Sequence, residues 1–117
     1  MARVVHFELP ADNPERLIKF YEDAFNWHIS KWDGPFDYWL VMTGTSDEPG
    51  IDGAIGRRGE IMGNVNTIDV SSLDNTIEKV TGSGGELITP KNSIPGVGTM
   101  VYCKDPEGNI FGLMQSE

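Results

Sequence analysis

Hydrophobic and polar positions along the chain switch between two periods, and the switches mark out its elements. In "RVVHFEL", at residues 3–9, Val5, Phe7 and Leu9 share one face of a strand while Val4, His6 and Glu8 share the other. The next stretch, "ADNPERLIKFYEDAFNW", changes to helical spacing, with Leu17, Phe20, Tyr21, Ala24 and Phe25 forming an apolar stripe. Asn13 is the expected N-cap of that helix, Pro14 fits its first turn, and Glu15 lies near the positive end of the dipole. Three strands are expected next, in "WHISKWD", "DYWLVMTG" and "GIDGAIGR", separated by the turn formers "DGPFD" and "TSDEPG".

After "RGEIMGN" the same order begins again. "NVNTIDV" alternates as a strand, and "SSLDNTIEKVTGSGG" reads as a short capped helix ended by glycines. "GELITPKNSIPG", "GTMVYC" and "NIFGLMQ" supply three more strands, the last two joined by the turn "KDPEG". The halves superpose by counting: His6-Phe7-Glu8 matches Thr67-Ile68-Asp69 at an offset of 61, Leu17 and Phe20 match Ile77 and Val80 at 60, and "IDGAI" matches "IFGLM" at 59. A period of this kind marks a duplicated unit.

The expected fold class is therefore α+β, with two tandem βαβββ modules forming a curved mixed sheet around a cavity. Module one covers residues 1–57, a linker 58–63 and module two 64–117. Alternation sends Val5, Phe7, Leu9, Ile68, Val70, Phe111 and Leu113 toward the helices. It leaves His6, Glu8, Thr67, Asp69, Gly112 and Met114 facing the hollow.

Composition narrows the function classes. The chain has 117 residues, 38% hydrophobic and 23% charged, enough for one core of its own. No apolar run nears the roughly 20 residues that cross a bilayer, and "MARVVHFELP" has no signal-peptide pattern, so a cytoplasmic protein without a membrane partner is expected. A net charge of −9 repels nucleic acid, and only "GRRGE" pairs two basic residues. Cys103 is the single cysteine, which excludes an intrachain disulfide or a cysteine zinc cluster, and it reads as a small buried residue.

The order and spacing of "VVHFELPADNPERLIKFYEDAFNW", "SKWDGPFDYWLV", "GIDGAIG" and "GGELITPKNSIPGVGTMVYCKDPEGNIFGLMQ" resemble the vicinal oxygen chelate superfamily. Glyoxalase I, bleomycin resistance proteins and extradiol dioxygenases belong to it, and the likeness is greatest to its small lactoylglutathione lyase-related branch. The resemblance spans almost the whole chain. It implies four metal-ligand positions, on the first and fourth strands of each module, which map to His6, Gly53, Thr67 and Gly112. Only His6 keeps a ligand side chain, whereas a catalytic divalent ion needs about three.

The resemblance thus implies the fold and its cavity without the metal, and no cofactor is expected. The expected partner is a small-molecule ligand held by His6, Glu8, Thr67, Asp69, Met114 and one or more of Trp32, Tyr38 and Trp39, with Gly53 and Gly112 clearing space. Tyr38 and Trp39 face opposite ways, and the sequence leaves open which lines the pocket. The alternatives are a lyase, isomerase or dioxygenase-type enzyme with His6 as its catalytic base, and a dimeric regulatory or structural module. In the enzyme reading a divalent metal would rest on His6, Glu8 and Asp69. His28 reads as an exposed strand residue, and "NSIPGVG" as either a lid or an ordinary connection. The sheet's exposed edges suggest a homodimer.

Overall fold

The computed structural model describes residues 2–117. It is α+β, with the order βαβββ in the first half and, in the second, βαββββ, one strand more than expected. Its contacts group into two compact units, His6–Val65 and Asn66–Glu117 with residues 2–5. Among the described residues no helix is long and apolar enough to cross a membrane.

In the first unit, β1 (Arg3–Ala11) runs parallel to β4 (Asp52–Arg57) from His6 onward, while β3 (Tyr38–Met42) is antiparallel to both β4 and β2 (His28–Lys31). The helix α1 (Pro14–Phe25) starts as its sequence requires: the Asn13 side chain accepts from Arg16 N–H at 3.2 Å, and Pro14 occupies the first turn, where its missing donor costs nothing. Asn26 ends the helix in the left-handed conformation at φ 60°. Ala11, Val41 and Ile55 form the core, with Phe7, Leu9, Leu17, Ile18, Tyr21, Trp27, Ile29 and Trp39 packed around it.

The apolar stripe of α1 departs from its expected position. Ile18 joins Leu17 and Tyr21 in the core, whereas Ala24 is exposed and Phe20 and Phe25 stay 54% and 58% exposed. The ring of Phe20 meets Tyr21 edge-on at 5.0 Å, and Phe25 lies 5.6 Å from Trp27, so these phenylalanines cap the buried aromatics from outside. Val5 is also exposed, against the expectation that it packs under a helix. The segment expected as a plain linker contributes a buried side chain. Ile61 is held over Gly56, where a Cβ would stand 2.4 Å from it.

In the second unit, β5 (Val65–Asp69) runs parallel to β9 (Ile110–Ser116), and β8 (Gly98–Lys104) is antiparallel to β9. Ser72 caps α2 (Leu73–Gly82) by accepting from Asn75 N–H at 3.3 Å. Val70, Leu73, Val101, Cys103 and Leu113 make the core, with Ile68, Ile77, Val80 and Phe111 against it. The one strand expected at 85–96 is instead two short ones, β6 (Glu86–Leu87) and β7 (Asn92–Ile94), each paired to β8. Pro90 has no N–H for a ladder, and Thr89 Oγ1 accepts from Tyr102 N–H at 2.9 Å where a backbone carbonyl would otherwise stand. "NSIPGVG" forms the turn of a hairpin between β7 and β8, closed by Val97 N–H on Ile94 O at 3.0 Å.

Candidate functional site

Strand register decides which side chains meet. Along β1, Phe7 and Leu9 go to the core, which turns His6 and Glu8 to the other face of the first unit. On β3 the same alternation sends Trp39 inward, with Lys31 Nζ 5.8 Å and Arg57 Cζ 5.7 Å from its ring centre, and Tyr38 outward onto the His6 face. The choice left open by the sequence therefore falls on Tyr38. Trp39, expected among the ligand-facing residues, lies instead on the packing side.

Tyr38 ties this face together. Its hydroxyl donates to Glu8 Oε2 at 2.6 Å and lies 3.0 Å from His6 Nε2. A phenol has one proton, and here it is directed to Glu8, so the same oxygen accepts from His6 Nε2–H. That arrangement leaves the imidazole lone pair on Nδ1. Glu8 is only 5% exposed and carries a charge-assisted bond, as a buried carboxylate requires.

The His6 imidazole holds its proton less tightly than a free histidine, chiefly because burial disfavours the cation. The charges of Glu8 and Asp52 oppose that effect without overcoming it. The neutral ring is consequently favoured near neutral pH.

Trp32 and Phe36 extend the face as an aromatic wall, edge-on to Tyr38 at 5.8 Å each and to one another at 5.0 Å. Gly34 makes room for this cluster. A Cβ there would stand 2.0 Å from the Trp32 ring. The aromatic density of the segment pointed to Trp32, while Phe36, inside the turn "DGPFD", was missed.

Gly53 is not on this face. It pairs with Phe7 and Val41, and an added Cβ would lie 2.5 Å from both the Phe7 ring and the Phe7 carbonyl oxygen. The residue beside His6 on β4 is Asp52. Its Oδ1 accepts from Thr43 N–H at 2.9 Å, with Thr43 Oγ1 at 3.3 Å. Matching the glycines of "IDGAI" and "IFGLM" shifts β4 by one residue, which exchanges its faces.

In the second unit Gly112 does pair with Thr67, and its added Cβ would meet Thr67 Oγ1 at 3.0 Å. Asp69 pairs with Met114 and lies 3.4 Å from Ser116 Oγ. His28 is exposed on β2. Cys103 is fully buried, which pushes its thiol pKa up.

The divalent ion implied by the resemblance does not fit the residues present. The register pairs at those positions are His6 with Asp52 and Thr67 with Gly112. Asp52 and Glu8 are engaged by Thr43 and Tyr38. Among the described residues no group of three or more His, Cys, Asp or Glu side chains is placed to hold a metal.

Comparison with known proteins adds the family context. The family model described as Glyoxalase/Bleomycin resistance protein/Dioxygenase superfamily matches residues 3–113. A glyoxylase-like domain-containing protein of Didymella fabae is 32% identical over 112 residues, covering 91% of this chain and 88% of its own. Among solved structures, a glyoxalase/bleomycin resistance protein/dioxygenase superfamily member from Vibrio splendidus 12B01 superposes with a TM-score of 0.69 at 19% identity, covering 100% of both chains. Methylmalonyl-CoA epimerase from Mycobacterium tuberculosis does so with a TM-score of 0.68 at 13% identity, over 97% of this chain and 87% of that one. At these identities the structures share the fold.

Proposed function

The chain belongs to the glyoxalase/bleomycin resistance protein/dioxygenase superfamily, and from that premise we propose that it binds a small organic molecule on its His6–Tyr38–Glu8 face without a divalent metal. The bridging Tyr38 hydroxyl carries this reading, because with its own proton on Glu8 it takes the Nε2–H of His6, and in the neutral ring that burial favours this leaves Nδ1 as a hydrogen-bond acceptor. Trp32 and Phe36 beside it offer ring surface for a planar or apolar ligand body. A ligand with an N–H or O–H donor next to an unsaturated or aromatic group matches both features.

A ligand-library thermal-shift screen tests the proposal. A compound at a hundredfold excess over its Kd stabilises by about 2.7 kcal/mol, well within detection. The expected hit raises the midpoint of the wild type and fails to raise that of Tyr38→Phe or His6→Gln. The reading is lost if no compound shifts the wild type, or if every shift survives both substitutions.

The lone pair on His6 Nδ1 also favours a second reading, in which His6 is the base of a metal-free lyase or isomerase acting next to a carbonyl. Solvent deuterium exchange into a panel of carbonyl compounds, followed by NMR, checks it. Exchange abolished by His6→Gln supports catalysis, and exchange at the buffer rate excludes it for that panel.

A further inference from the structure

The basic pair in "GRRGE" lies outside the site described above, and its second member has a separate setting. Arg58 lines a cleft of about 360 Å³ beside the start of α1, together with Arg16, Asp12, Asn13, Leu17 and Phe20. Asp12 Oδ1 accepts the Nε proton of Arg58 at 2.9 Å, and Arg58 N–H donates to Ala11 O at 3.0 Å. This holds the guanidinium in place while its Nη nitrogens keep donors for a second acceptor.

Arg16 has no side-chain hydrogen bond or ion pair among the described residues. Asp12 is offset by Arg58, so Arg16 leaves the cleft with a positive charge on a chain whose net charge is −9. Arg16 N–H is already taken by Asn13, so the two guanidinium groups and not the helix end supply the donors. Phe20, more than half exposed, and the half-buried Leu17 give the same cleft an apolar wall.

We propose that this cleft is a second binding site, for a small monocarboxylate with an apolar body: the carboxylate between Arg16 and Arg58, the body against Phe20 and Leu17. One uncompensated positive charge matches one carboxylate, and the planar fork of arginine matches its two oxygens. Phosphate shares the oxyanion chemistry but brings more charge and has nothing to place on the ring.

The test is an NMR titration of the full chain with benzoate and, separately, with inorganic phosphate, reading the Arg Nε–H signals and the amides from Ala11 to Leu17. Saturable shifts with benzoate at Arg16 and Arg58 are expected. They should weaken about tenfold in Arg16→Gln, the loss of one charge-assisted contact. Arg16 is exposed, so this variant keeps the fold, and Phe20→Ala should weaken benzoate while leaving any phosphate shifts unchanged. Linear shifts spread over unrelated surface amides, or benzoate binding that is unchanged in Arg16→Gln, overturn the site. Saturable phosphate binding tighter than benzoate overturns the monocarboxylate assignment.

Discussion

The Tyr38 hydroxyl donates to Glu8 Oε2 at 2.6 Å across a sequence separation of 30 residues. The bond exists because β4 lies between β1 and β3 and pairs with both, so that alternate residues of the outer strands rise on one face. Removing the hydroxyl withdraws a donor from a buried carboxylate and an acceptor from His6. Tyr38→Phe keeps the ring against Trp32 and Phe36, and should cost about 1–3 kcal/mol in urea unfolding. An unchanged midpoint would mean that the hydroxyl contributes nothing net in solution.

Burial of His6 makes stability depend on pH with a definite sign. The unfolded imidazole titrates near 6.5, and the folded one protonates at lower pH. Above 6.5 both states are neutral and the folded protein has its full stability. As pH falls below 6.5 the unfolded chain takes up the proton first, so stability declines until the folded ring is also protonated. Glu8, Asp52 and Tyr38 are the groups facing the ring, and the two carboxylates limit the size of the effect. Wild type should lose more stability than His6→Gln between pH 7.5 and the folded pKa. Parallel pH curves for the two would contradict burial as the dominant influence.

Cys103 has 0% exposure and sits among Val101, Leu113 and Val70, where burial raises its pKa. Both effects suppress thiolate chemistry. Iodoacetamide should leave the native protein unlabelled over hours and modify one thiol per chain in guanidinium chloride. Fast native labelling would show that β8 opens readily.

What the sequence made legible is local or periodic. Asn13 and Pro14 start α1 because side-chain capping and a fixed φ act within a few residues. Phe7 and Leu9 pack inward, as do Ile68 and Leu113, since period-2 alternation needs no knowledge of partners. The contact of Tyr38 with His6 and Glu8 was not legible in the same way. It depends on the register of three strands, and alternation alone could only say that Tyr38 and Trp39 part company. Helical spacing likewise drew the stripe through Phe20 and Phe25, because aromatic character does not distinguish a core ring from one capping it.

The sharpest error concerned Gly53, and it leads to a paired prediction. Two glycines in similar strands invited one alignment, yet Gly53 lies with Phe7 on the core face of its own unit, while Gly112 lies with Thr67 in its own, away from the core residues Ile68 and Leu113. A methyl group at Gly53 meets the Phe7 carbonyl oxygen at 2.5 Å, and backbone in a paired strand cannot move aside without breaking the β1–β4 ladder. At Gly112 the nearest atom is Thr67 Oγ1 at 3.0 Å, part of a side chain that can yield by a few tenths of an ångström. Gly53→Ala should therefore cost about 1–3 kcal/mol, the usual range for overpacking, and Gly112→Ala distinctly less. Gly53→Ala should leave any ligand seated on the His6 face in place at equal folded fraction, because the methyl lies on the other side of the sheet. Chemical denaturation of both variants gives the ranking; equal costs, or a Gly112→Ala protein less stable than Gly53→Ala, would return Gly53 to the His6 face and restore the alignment that the register rejects.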